Sequence, residues 1–175
     1  MSSPAVEHEP APRRIPTQVT SLESLVGAHP EALRKIFGTG RPADPAALGE
    51  APRGYLLAFD RGGDVFLAVR PFLRGLSTGL LPWRGKTFDH GGNSGQNVLL
   101  GKKLLRFQAE VGPSELDGLP ALILTYHAPA HQNPWPFRLV RDELRMAGPG
   151  IALGPAIVPV MGAPVPLLWF GLAAT

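Results

Sequence analysis

The chain has 175 residues, 44% of them hydrophobic and 18% charged, with a formal net charge of +3, which suits one domain with a real core. It contains no cysteine, and this excludes disulfides, thiol catalysis, iron–sulfur clusters and zinc–thiolate sites. The mild basicity comes without a basic stripe interleaved with aromatic residues, so no nucleic-acid partner is expected.

Residues 1–18 are rich in Pro, Ala, Ser, Glu and Arg. They have little to bury and are expected to form a disordered tail, with residues 19–175 as a single domain. The tail lacks the apolar run of a signal peptide, so a cytoplasmic location is the default expectation. Leu22, Leu25, Val26, Leu33, Ile36 and Phe37 then recur at helical spacing, predicting short helices over 20–38. Thr20 or Ser21 suits the first cap, and Glu23 suits the positive end of the helix dipole. Pro30 breaks the pattern and opens a second helix closed by Gly38. Residues 40–52 read as a connection with one more helical turn around Ala46–Leu48.

From Arg53 onward the pattern is one of strands. Residues 55–59 form one, and Asp60-Arg61-Gly62-Gly63 is a strong hairpin signal. Residues 65–72 and 73–81 read as strands, the latter bent or bulged at Gly75 and Gly79, and residues 83–89 continue it. The stretch HGGNSGQ, residues 90–96, reads as a loop or mobile lid. In 104–111 the alternation places Leu105, Phe107, Ala109 and Val111 inward. Residues 114–118 turn the chain and 121–126 run back. Residues 147–175 carry no charge but five prolines, Pro149, Pro155, Pro159, Pro164 and Pro166; buried strands are expected there rather than a membrane span. In all, 21 glycines and 20 prolines punctuate the chain, as turns between about eight to ten short strands would require. Without long helices between them, an antiparallel, lipocalin-like β-barrel is the natural closure, because it removes sheet edges and can hold one small ligand.

The centre of this pattern is Asn133–Ile157. After Pro134 and Pro136 the residues alternate. Arg138, Val140, Asp142, Leu144 and Met146 share one face, and Leu139, Arg141, Glu143 and Arg145 share the other. The second, more charged face is expected to meet water. The first is expected to face the core, which would place Arg138 and Asp142 inside the barrel or at its mouth. Charges there must be paired.

Two segments resemble a known family. WRGKTFD, residues 83–89, is similar to the W-x-G-K-x-F segment of GXWXG-domain proteins, which are lipocalin-like, nitrobindin-like (calycin) barrels. Residues 126–154 resemble their later segment of a Tyr-Asp, a proline loop, a Phe-Arg-x-Val and a Leu-Gly: here Tyr126-His127, Pro134 to Pro136, Phe137 to Val140 and Leu153-Gly154. Pro52 stands where the family's first signature has tryptophan, and His127 stands in place of aspartate. The resemblance implies a barrel.

The candidate ligand-binding residues are Arg138, Asp142, Tyr126, Trp83, Met146 and His127. The Arg138 fork could hold a carboxylate or phosphate with Asp142 orienting it, or the two could form a structural ion pair. Tyr126 and Trp83 offer an apolar body with a polar handle to a pocket, or simply fill the core. His127 and His131 are four apart in a loop. They lack a third ligand nearby, so no metal is expected, and haem would rest on the nitrobindin resemblance. Arg84 and Lys86 alternate onto one face with Phe88, to guard an anionic entrance or to sit in water. Ser94 lacks the strand–turn–helix context of a nucleophile. No cofactor is expected. The expected function is binding of a small, mostly apolar molecule with a polar or anionic end inside the barrel. The alternatives are a cyclase- or isomerase-type enzyme on the same barrel, with Asp142, Tyr126 and His127 as its acid–base candidates, or an interaction protein with a filled core.

Overall fold

A computed structural model describes residues 19–60 and 83–175. The expectations for the tail and for strands 65–72 and 73–81 lie outside the described residues. A 3-10 turn, Glu23–Leu25, leads to helix α1, Pro30–Thr39. Pro30 stands where a missing N–H costs nothing, and the His29 side chain accepts a bond from the Glu31 N–H. Helix α2, Pro45–Leu48, repeats the device with Asp44 as its cap. Gly38 lies within α1, which ends at Gly40 instead.

Among the described residues eight strands follow: β1 Arg53–Phe59, β2 Trp83–Phe88, β3 Ser94–Leu99, β4 Lys102–Pro113, β5 Pro120–Thr125, β6 Arg141–Gly148, β7 Ile151–Val160 and β8 Ala163–Ala173. They pair antiparallel in sequence order, and β8 returns to β1 to close a barrel. The uncharged C-terminal stretch is β7 and β8, which pair from Ile151↔Ala173 to Val160↔Ala163 with one register shift between Ala156 and Ile157. Among the described residues no helix is long and apolar enough to cross a membrane.

Alternation along strands such as β5 and β8 sorts the buried side chains into two cores. Phe107, Leu122, Leu124, Leu144, Leu168 and Phe170 belong to the barrel interior. Their neighbours on the opposite parity, Ile123 and Trp169, pack with Leu22, Leu33 and Phe37 of the N-terminal segment. The Phe37 and Trp169 rings meet edge to face at 5.9 Å, a favoured aromatic geometry. The helices thus cover part of the barrel's outer wall.

Three expectations are corrected here. Residues 90–96 are not all loop, because Ser94–Leu99 is strand β3. Gly95 permits this: a Cβ there would lie 2.0 Å from the Thr87 carbonyl oxygen and 2.6 Å from the Phe107 ring. Val111 is exposed although its parity matches that of buried Phe107 and Ala109, since it lies in the last part of the long β4. The face of Glu143 and Arg145 does not meet water, for both are buried. Glu143 accepts bonds from the Ser114 hydroxyl and the Glu115 N–H. Arg145 lies over the Phe37 ring of α1.

Candidate functional site

The barrel interior holds a cavity of about 190 Å³. Much of its wall is apolar, including Leu56, Leu99, Leu105, Val140, Leu168 and Phe170. Its polar side gathers Trp83 and Lys86 from β2, Asn97 from β3, Tyr126 just after β5, and Asp142 from β6. Two neighbouring pairs of strands in the closed sheet, β2–β3 and β5–β6, therefore supply or lead into one cluster.

Lys86 is its centre, with only 2% of its side chain exposed. Its ammonium donates to Asp142 Oδ2, Asn97 Oδ1 and the Tyr126 hydroxyl, each at 2.8 Å. Tyr126 donates to the same Asp142 oxygen at 2.6 Å. Asn97 Nδ2 donates to the Tyr126 oxygen at 3.0 Å and to the Leu105 carbonyl at 3.4 Å. The Trp83 indole N–H donates to Asn97 Oδ1 at 3.0 Å. The rings of Trp83, Phe107, Tyr126 and Phe170 lie between 5.1 and 5.8 Å from the ammonium, within reach of cation–π attraction.

These groups perturb one another. Burial pushes the Lys86 ammonium below its ordinary pKa, while the Asp142 charge and hydrogen bond oppose the shift. Burial pushes the Tyr126 hydroxyl well above its ordinary value, with the nearby Asp142 charge adding to it. Above about pH 10 the unfolded chain loses its tyrosine protons while the folded chain keeps the one on Tyr126. Stability carried by Tyr126 is therefore fully present below about pH 10 and is lost progressively as pH rises from there toward the higher folded value. The chain has two tyrosines, and Tyr126 is expected to yield tyrosinate absorbance only as the barrel unfolds. Both tyrosines ionising in the folded protein would contradict this.

The placement of Lys86 depends on a bulge. The β2–β3 register shifts between Trp83 and Gly85, and the extra residue lets both Trp83 and Lys86 reach the cavity while Arg84 stays exposed. Gly85 makes this possible with φ of 131°, where a side chain is strained. A Cβ on it would lie 2.3 Å from the Pro52 carbonyl oxygen. Gly85→Ala should cost about 1–3 kcal/mol through backbone strain alone. Denaturant midpoints check this, and an unchanged midpoint would refute it.

Of the six residues expected to bind ligand, Asp142, Tyr126 and Trp83 line the cavity. Met146 belongs to the same interior core but is not among the cavity-lining residues. Arg138 is exposed, in a 3-10 turn at Phe137–Leu139, and its side chain donates to the Asn133 carbonyl. The expected strand begins at Arg141 instead, because the turn interrupts the alternation. Lys86, not Arg138, is the charge partner of Asp142. His127 is exposed. His131 sits in the turn Pro129–His131 with Nδ1 buried and unpartnered among the described residues.

Neither imidazole lines the cavity. Of the described lining residues, Tyr126 alone is of a type that ligates haem iron, and its hydroxyl is engaged by Lys86, Asn97 and Asp142. Among the described residues no group of three or more His, Asp or Glu could hold a metal ion. Sequence reading left Lys86 either guarding an anionic entrance or sitting in water, and gave Asn97 no role. The available signal was Gly85 within a strand, a pointer to a bulge that reverses the parity after it.

No protein-family model matches the sequence, and no curated protein matches it. A crystal structure of a protein from Thermomonospora curvata is similar in fold, with a TM-score of 0.54 and 17% identity, over 88% of this chain and 93% of that one. The likeness is one of architecture: this chain forms a lipocalin-like, closed barrel of eight antiparallel strands.

Proposed function

We propose that the protein binds a small, mostly apolar molecule inside the barrel, with the molecule's polar end against the Lys86–Asp142–Tyr126–Asn97 cluster. The supporting observation is an apolar cavity with polar groups converging on one side, the usual anatomy of a small-molecule site. Its volume of about 190 Å³ suits a ligand the size of a substituted benzene, since a cavity of about 150 Å³ takes benzene. The resemblance to GXWXG-domain proteins agrees with this reading, because Trp83 and Lys86 lie in its first segment and Tyr126 and Asp142 in its second.

A ligand that binds only the folded state raises the melting temperature. Small aromatic alcohols are expected to do so for the natural chain but not for Ala156→Trp, which fills the cavity from its wall. Such filling should itself cost about 1–3 kcal/mol, so circular dichroism must show the variant folded. The reading fails if the natural chain shows no shift and native mass spectrometry from the source cells shows the bare chain.

A second reading, an isomerase-type enzyme, is favoured by one observation: a buried lysine with a lowered pKa contacts a tyrosine and an aspartate. Such groups suit proton transfer. Recovery of bound molecules after incubation separates the readings, since a binder returns them unchanged and an isomerase returns a rearranged product.

A further inference from the structure

We infer that the polar end of the ligand is an uncharged hydrogen-bond donor, such as a hydroxyl, and that it donates to Asp142 Oδ1. This rests on the cavity being a ligand site and goes further by specifying the ligand's chemistry.

The inference follows from counting donors. A lysine ammonium has three N–H donors, an asparagine amide two, and a tyrosine hydroxyl and an indole one each. All are engaged within the protein. Those of Lys86 reach Asn97, Tyr126 and Asp142. Those of Asn97 reach Leu105 and Tyr126. The Tyr126 hydroxyl donates to Asp142, and the Trp83 indole to Asn97. No donor of the cluster is left to meet an anion.

The acceptors differ. Asn97 Oδ1, the Tyr126 oxygen and Asp142 Oδ2 each receive two of these bonds. Asp142 Oδ1 receives none from the described residues. Among the described residues the one fully buried side-chain nitrogen or oxygen without a partner is His131 Nδ1. Asp142 Oδ1 is therefore not sealed in the wall, and Asp142 lines the cavity. An unsatisfied carboxylate oxygen facing an apolar space is costly, and a ligand donor relieves that cost.

Charge narrows the choice. The Lys86 and Asp142 charges balance. Asp142 is the one acidic residue among the described lining residues, and Lys86 the one base. A carboxylate ligand would bring an unpaired negative charge against Asp142 Oδ1. A cation would bring a second positive charge beside Lys86. Both are disfavoured in a desolvated site. The anionic end considered from the sequence rested on an inward Arg138, which is exposed.

The test uses three probes of one shape: 4-propylphenol, 4-propylbenzoate and propylbenzene, titrated against the full chain at about pH 7, where the first is uncharged and the second charged. The phenol should bind about tenfold or more tighter than the other two, as expected for a hydrogen bond to a charged acceptor. In Asp142→Asn, Lys86 loses its counter-charge, and the order of phenol and benzoate should reverse. Benzoate binding tighter than phenol to the natural chain would overturn the inference while leaving the cavity reading intact. Equal binding of phenol and propylbenzene would also overturn it. Binding of none of the three would refute the cavity reading itself. The ranking on the natural chain decides the inference even if Asp142→Asn does not fold.

Discussion

Replacing Asp142 alone with asparagine should destabilise the barrel by about 3–5 kcal/mol, because it leaves the buried Lys86 ammonium without its counter-charge. That places it among the largest effects expected of one substitution. The double variant Lys86→Met with Asp142→Leu should cost far less. Both charges are then gone, and Asn97 still bonds Trp83 and Tyr126. The Tyr126 hydroxyl loses its acceptor, a penalty of about 1–3 kcal/mol, against a gain of similar size from removing a buried ion pair. The single variant should also respond to pH. Burial holds Lys86 below its ordinary pKa, with Asp142 opposing the shift, so removing Asp142 lowers it further. Between that lowered value and about pH 10.4 the unfolded chain binds a proton that the folded chain does not. Stability of the variant therefore rises with pH across that window, and the deficit shrinks. Denaturant unfolding at several pH values measures this. A double variant as unstable as the single one would rule out the ion-pair account.

The second large effect is expected on the outer wall, at Arg145. Its guanidinium has five N–H donors, and each has an acceptor: Pro120 O at 2.9 Å, Phe37 O at 3.2 Å, Leu119 O at 2.8 Å, and both Asp117 carboxylate oxygens at 2.7 Å. The guanidinium carbon lies 4.2 Å from the centre of the Phe37 ring. One side chain thus ties α1 to the β4–β5 turn across β6. Asp117→Ala should cost about 3 kcal/mol, the low end for a broken buried pair, because Asp117 keeps 29% of its side chain exposed. Arg145→Lys should also be costly, since an ammonium cannot reproduce the planar fork. The Arg145 hydrogen bond holds the Asp117 carboxyl below its ordinary pKa. A depressed carboxyl stabilises above its unfolded value, about 3.9, and loses that contribution as pH falls through the folded value. The gap between the natural chain and Asp117→Asn should accordingly close in acid. Hydrogen exchange should show α1 losing protection first in either variant. Unchanged protection of α1 would show that its docking does not depend on Arg145.

Much of the architecture was readable because it depends on local rules. The period of two in residues 142–146 assigns Asp142, Leu144 and Met146 to the interior wherever the strand lies. Pro30 marks the start of α1 through its own backbone preference, although the helix closes at Gly40 and not at the expected Gly38. The glycine- and proline-rich turns imply many short strands, and closure follows from the cost of exposed sheet edges. The sequence by itself thus determined an antiparallel barrel with an aspartate and a tyrosine directed inward. Tertiary structure decided which charge meets that aspartate. A single bulge at Gly85 carries Lys86 to the interior, and a 3-10 turn carries Arg138 out to the surface. It also decided that Glu143 and Arg145 are buried, because α1 and the turn after β4 pack over a wall whose pattern reads as solvent-facing. Parity specifies the side of a sheet on which a residue stands, but what covers that side depends on contacts between residues as distant in sequence as Phe37 and Arg145.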